Sequence, residues 1–230
     1  MPLVLTSTNF IATEVAASGN RMIIGTRRYS SWSLRGWLAV RLAGLDVEEV
    51  VVPLGAGSTP ALSALTPAGL VPVLEHDGLR IWDSLAICEY CAECAPGLWP
   101  LDRGKRAIAR SVAAEMHAGF RELRIAMPMN LGRTVPDRDI PAAALADAAR
   151  IDQVWQDCLA ANAGPFLFGA APTIADIMYA PVVARFISYM PSLSAAAEAY
   201  TRAMRAWPLL DEWYRLAAAE PISWRLAKYE

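Results

Sequence analysis

Ser30, Ser31 and Ser33 crowd into the stretch Tyr29 to Arg35, just after a short apolar run and just before leucines and a tryptophan at helical spacing. A hydroxyl at a helix start can cap the free backbone N–H groups, or it can donate a hydrogen bond to a group held there. A thiol is the group most changed by such a position. Its free pKa of about 8.5 keeps it mostly protonated at neutral pH, and a helix N-terminus with a hydroxyl donor lowers that value. Asp83 and Ser84 precede a second helical run, where capping and carboxylate binding are compatible uses of the same N–H groups. Pro72 falls inside a strand-like run, where proline removes a ladder hydrogen bond. A cis Val71–Pro72 bond in a special turn is one solution, and a trans proline ending an edge strand is the other.

Cys88, Cys91 and Cys94 stand three apart, a spacing that can chelate zinc or cycle through a disulfide. Their flanks read as helix, and no second ligand pair or nearby histidine completes a tetrahedral site, so the expectation is packed, reduced thiols and no metal. His117 and Arg121 lie one helical turn apart, with Met116, Phe120 and Arg124 beside them. A Met/Phe stripe at that spacing is more often core than ligand wall, which makes the polar pair the better candidates.

The elements that must position these residues follow from periodicity. Residues 1–21 show no period and are expected to be a tail. Met22 to Gly25 suit a buried strand; Leu34, Trp37, Leu38 and Leu42 mark one helical face, ended by Gly44; Val47 to Val52 is a second strand. A crossover helix makes the two strands parallel, a βαβ unit. A short helix is expected near Ala61 to Leu65. Asp77-Gly78 between strand-like runs predicts a hairpin, and Ala95 to Gly97 stop the cysteine-bearing helix before a linker over Leu98 to Asp102. Beyond Arg103 the pattern is helical: one long helix carrying Ile108, Val112, Met116, Phe120, Leu123 and Met127 on its inner face up to Pro128, a second over 142–162, a third opened by a capping box at Thr173 to Asp176 and interrupted by Pro181, and two short ones. The expected fold is α/β plus all-α, with domains at 22–95 and 104–230.

A formal charge of -2 with no Lys/Arg block argues against a nucleic-acid footprint and a polybasic membrane patch, leaving small molecules as the expected partners. No apolar run approaches the roughly 20 residues of a transmembrane helix, and the first residues lack a secretory pattern, so a cytoplasmic location is expected.

Over residues 22–220 the chain resembles the cytosolic glutathione transferases. Residues 29–35 look like the serine motif of the zeta class and related bacterial members, residues 69–74 resemble the stretch holding that family's cis-proline, and Trp82-Asp83-Ser84 is similar to its acid–serine pair. The resemblance implies a thioredoxin-like first domain that binds glutathione and a helical second domain. It implies that Ser30, with Ser31 in reserve, donates to the glutathione sulfur. Trp32, Val71, Pro72, Asp83 and Ser84 would hold glutathione, the Val71 backbone pairing with it like an added strand. Met116, His117, Phe120 and Arg121 would wall a small electrophilic second substrate, and the protein would be a homodimer. Trp32 stands where the zeta motif has a cysteine, which weakens a transfer of zeta isomerase chemistry. Conjugation is the leading expectation. Glutathione-dependent isomerisation or peroxide reduction, and a non-catalytic glutathione-binding protein, are the alternatives.

Overall fold

The computed structural model describes residues 19–55, 57, 59–66, 68–136 and 138–230. Strands β1 (Arg21–Gly25) and β2 (Glu48–Val52) run parallel, joined through helix α1 (Ser31–Ala43). Gly44 ends α1 in the left-handed conformation, φ 70°, that lets its N–H reach back to the carbonyls of Val40 and Arg41. Helix α2 (Pro60–Leu65) leads to β3 (Val73–His76) and β4 (Leu79–Trp82), a hairpin turning on Asp77 and Gly78, both at positive φ. β3 runs antiparallel to β1, giving the order β2-β1-β3-β4.

Alternation along the strands divides the sheet's two faces. Met22, Ile24 and Leu74 join the main core, to which α1 and helix α3 (Ser84–Cys94) also contribute. Ile23 and Val73 point the other way, into a smaller cluster with Val52 and Leu62 of α2. β1 begins one residue inside the expected tail, at Arg21, and the Asn20 carbonyl already accepts from the Glu48 N–H. Residues 1–18 of that expected tail lie outside the described residues.

Helices α4 (Arg103–Ala118), α5 (Arg121–Ala126), α6 (Ala142–Ala161), α7 (Ile174–Tyr189), α8 (Ala195–Arg205) and α9 (Pro208–Ala219) complete the chain, with a short 3-10 turn at Ile222–Trp224. Three expectations are corrected here. The long helix is two helices: Gly119 leaves the helical path and Phe120 sits at φ 59° between α4 and α5. The Arg124 side chain accounts for the break, donating to the Gly119 carbonyl at 3.0 Å and to that of Met116, two acceptors at the end of α4. Ile108, expected on the inner face, is 56% exposed. Nor does Pro181 interrupt α7, which runs unbroken through it. That helix is buried on nearly every side, and packing on this scale outweighs the roughly 3 kcal/mol a mid-helix proline costs.

The Thr173–Asp176 capping box forms as expected, and the buried Asp176 carboxylate also accepts from the Leu167 N–H at 3.0 Å and the Tyr200 hydroxyl at 3.1 Å. The sheet and the helical half are joined by packing of α1 on α7 and α9, by Trp213 Nε1 donating to the Arg27 carbonyl, and by an Arg41–Glu212 ion pair at 2.8 Å. Among the described residues no helix is long and apolar enough to cross a membrane.

Candidate active site

Two helix starts frame the site. At the first, Ser30 is the N-cap of α1, its Oγ accepting from the Ser33 N–H. Its hydroxyl also meets that of Ser33 at 2.7 Å, and Ser33 Oγ accepts from the Gly25 N–H at 3.0 Å. Ser33 therefore ties the N-cap serine to the end of β1. Ser31 makes no hydrogen bond to a described side chain or backbone group through its hydroxyl, and it borders the same cavity as Ser30.

At the second start, Asp83 is the N-cap of α3, accepting from the Leu85 N–H at 2.7 Å. Its φ of 27° is a conformation that glycine favours, held here by the turn out of β4. Ser84, only 1% exposed, keeps a buried Oγ with no hydrogen-bond partner among the described residues. A buried hydroxyl without a partner costs free energy unless a ligand supplies one. An acceptor such as a carboxylate at this helix start would fit both that hydroxyl and the free N–H groups.

Between these starts, the Val71–Pro72 bond is cis, and β1–β3 pairing extends only to Val73. Val71 thus precedes the paired strand, and its backbone makes no hydrogen bond to a described residue. The first helix start borders a cavity of about 580 Å³, the second one of about 330 Å³. Trp32, Leu70 and Val71 line both, so the two cavities adjoin across a common wall. The Trp32 ring in that wall carries the Arg35 guanidinium at 4.6 Å and that of Arg124 at 4.9 Å, and it meets the His117 ring edge-on at 5.3 Å. Arg35 is wholly buried with neither Nη atom partnered among the described residues; burial, with Arg124 and Arg185 nearby, holds its pKa well below the usual range.

The expected second-substrate wall is placed differently. Met116 is fully buried in the core, and Phe120 is buried at the α4–α5 link. His117 lies beside the second helix start, its Nε2 3.5 Å from Asp83 Oδ2. Arg121 is 81% exposed and pairs with Glu122, and none of these four lines either cavity. The larger cavity is lined on this side by Arg124, Pro128, Met129 and Arg185 and by Leu226 and Tyr229 near the end of the chain. That last segment is pinned to the loop before α1: Glu230 accepts from the Tyr29 hydroxyl at 2.6 Å and from Arg28 at 3.0 Å. Arg124 lies within the helical spacing that runs up to Pro128; Arg185, Leu226 and Tyr229 carry no local signal, because only tertiary packing brings them here.

All four cysteines are free. Cys88 and Cys91 are packed against the core, and burial pushes the Cys91 thiol up to about 12 and that of Cys88 higher still. Cys94, expected to be packed with them, is exposed. A step of three residues rotates a helix by about 300°, so three such positions drift off one face.

Comparison with known proteins agrees with this geometry. Residues 29–94 match the family description "Glutathione S-transferase, N-terminal domain" and residues 133–216 match "Glutathione S-transferase, C-terminal domain". The chain is 35% identical over 173 residues to a maleylacetoacetate isomerase of Rhizobium meliloti, covering 67% of this chain and 76% of that one. It is 31% identical over 175 residues to the enzyme of that name from Rattus norvegicus, covering 73% and 78%. Among solved structures, a maleyl pyruvate isomerase described as a bacterial zeta-class transferase shares the fold with a TM-score of 0.67 at 24% identity, covering 88% of this chain and 99% of that one. A glutathione transferase homologue from Burkholderia, solved with bound glutathione, does so with a TM-score of 0.68 at 20% identity, covering 88% and 100%. With two helix starts and an unpaired strand end facing adjoining cavities, and relatives over most of its length, the chain belongs to the glutathione S-transferase family, enzymes that take glutathione as co-substrate.

Proposed function

We propose that the protein holds glutathione along the wall from Ser84 to Ser30 and directs its sulfur onto an electrophilic carbon of a small second substrate. The orphaned Ser84 hydroxyl carries this reading: it stands at a helix N-terminus beside the N-cap Asp83, where the γ-glutamyl carboxylate and ammonium would be received. The free Val71 backbone would bond the cysteinyl unit, with Trp32 and Pro72 flanking it. Ser30 Oγ donates to Ser33 Oγ, which also accepts from the Gly25 N–H, and rotation of the Ser30 hydroxyl away from Ser33 would present its proton to the sulfur. The thiol proton leaves to solvent, the thiolate forms the new carbon–sulfur bond, and in a conjugation the leaving group departs with its electron pair. Orientation and thiolate fraction supply the rate gain.

Ser30→Ala is expected to lower kcat/KM by roughly 10²-fold, the typical size of a lost donor to a developing anion, with glutathione affinity measured by calorimetry changing little. Unchanged turnover would move the role to Ser31. Absence of saturable glutathione binding would overturn the reading as a whole.

A second reading, glutathione-dependent isomerisation, is favoured by the similarity above 30% identity to maleylacetoacetate isomerases. There the sulfur adds to a conjugated carbon, rotation follows, and the same sulfur is expelled. Assay of a cis–trans diketo acid beside a chloronitroaromatic and an organic hydroperoxide separates the activities. We also take 22–95 as the glutathione-binding unit, 104–230 as the helical unit, and the protein as a cytoplasmic homodimer with a detoxifying role; sedimentation at micromolar concentration tests the assembly.

A further inference from the structure

We propose that Glu220 is a positioning residue for the reaction: through the two-residue arch Arg27–Arg28 it sets where Ser30 presents its hydroxyl to the glutathione sulfur. This rests on the reading above, because it assigns what holds the Ser30 side of the same site.

The arch lies between the end of β1 and the start of α1. Thr26 is fixed to the sheet: its N–H donates to the Val52 carbonyl at 3.2 Å, and its carbonyl accepts from the Tyr29 and Ser30 N–H groups at 3.2 and 3.0 Å. Between those anchored ends, Arg27 and Arg28 carry four backbone polar groups, and the helical half answers all four. Glu220 accepts from the Arg27 N–H at 2.7 Å through Oε1 and from the Arg28 N–H at 3.3 Å through Oε2. Trp213 Nε1 donates to the Arg27 carbonyl at 3.2 Å, and the Leu131 N–H donates to that of Arg28 at the same distance. The tilt of the arch, and with it the peptide that leads into Ser30, is therefore set by the second half of the chain.

Glu220 is the one member of that set whose own chemistry is matched to two donors. It follows the last residue of α9 and its side chain is 7% exposed. Two adjacent N–H groups require two acceptor oxygens in one plane, which a carboxylate offers and an amide, with one oxygen and one donor, does not. Burial holds the Glu220 carboxyl above its usual value, although both N–H groups and the Arg27 and Arg28 guanidiniums oppose the shift. The Arg27 guanidinium, 3.8 Å away, is shared with Glu49 of β2. A buried ion held at such a cost is a weak stabiliser and well suited to fixing one geometry. The geometry fixed here belongs to a donor group, for which an error of about 1 Å can cost about 10²-fold in rate.

The ultraviolet absorbance of the bound glutathione thiolate reads the effect without a second substrate. Glu220→Gln keeps the shape and one acceptor but turns an amide N–H toward the other backbone N–H. It is expected to lower the thiolate fraction at neutral pH by about threefold or more, and kcat/KM for a chloronitroaromatic by about tenfold. Glutathione affinity by calorimetry is expected to stay within about threefold, because Val71, Asp83 and Ser84 stand on other segments. In a Ser30→Ala background the same substitution is expected to add less than about twofold, since a residue acting through Ser30 has nothing left to act on. Trp213→Phe, which removes the donor to the Arg27 carbonyl, is expected to move the same readouts in the same direction, and it serves as the test if circular dichroism shows Glu220→Gln unfolded. Equal losses in the two backgrounds would overturn the proposal, as would an unchanged thiolate fraction in the folded variant. A fall in glutathione affinity as large as the fall in activity would overturn it too, because a general structural role produces that pattern. Absence of glutathione binding in the wild type would overturn the reading above and this assignment with it, whereas normal binding with equal losses removes this assignment alone.

Discussion

Ser30 serves as cap through its oxygen, which accepts from the Ser33 N–H, and as candidate donor through its proton, which Ser33 Oγ accepts. This much was legible in the sequence: the serines, Val71, Pro72, Asp83 and Ser84 lie in short segments whose local chemistry announces a helix start or a broken strand. Residues gathered from distant segments were not legible. Arg185 sits on a helix buried all round, where periodicity carries no direction, and Tyr229 follows the last periodic element. The cysteines give a test at this scale. Burial holds Cys91 at about 12 and Cys158 at about 11, so both stay protonated when pH is raised to about 9. An aromatic disulfide reagent is expected to titrate Cys94 alone in the native protein, at about pH 8 and at about pH 9, and all four thiols after denaturation. Fast reaction of a second thiol in the native state would refute this account of the burial.

The order of elements was largely legible, because βαβ crossover, Asp-Gly hairpin and capping box are each set by a few adjacent residues. The α4–α5 break was missed for a physical reason: the apolar spacing continues across it, while the agent of the break, Arg124, acts from the following helix. Pro181 misled in the opposite direction, since a local rule met a helix stabilised from every side. The same burial gives Asp176 unusual weight. Its carboxylate answers the Thr173 and Leu167 N–H groups, the Thr173 hydroxyl and the Tyr200 hydroxyl. Asp176→Ala leaves several buried donors unmatched and is expected to destabilise the fold by about 3 kcal/mol or more, read as a lower denaturation midpoint in urea. A change below about 1 kcal/mol would show that water replaces the carboxylate readily.

At the scale of the molecule, sheet and helices share one apolar core running from Met22 and Leu74 to Trp155 and Trp213. Many of its ionisable members are thiols and phenols held neutral. Burial raises Cys88, Cys91, Cys158, Tyr179, Tyr200 and Tyr214 in the fold, with Cys91 and Tyr214 at about 12. The unfolded chain releases these protons first, the thiols from about 9, so the native state binds more protons over that range and stability falls as pH rises from about 9 to about 12. The buried Arg185, lowered to about 9, and Arg35 act in the opposite direction, so urea midpoints across that range are expected to decline by less than the thiols and phenols alone would give, and midpoints that rise with pH would contradict the burial of those groups.

Trp32 is shared property of two compartments, facing the smaller cavity and the larger one at once. Any free energy by which an occupant of one compartment shifts that ring is returned in the other, so cooperativity between two such occupants must be equal in both directions. Order of addition can then alter the kinetics of assembly, but it leaves the stability of the ternary complex the same.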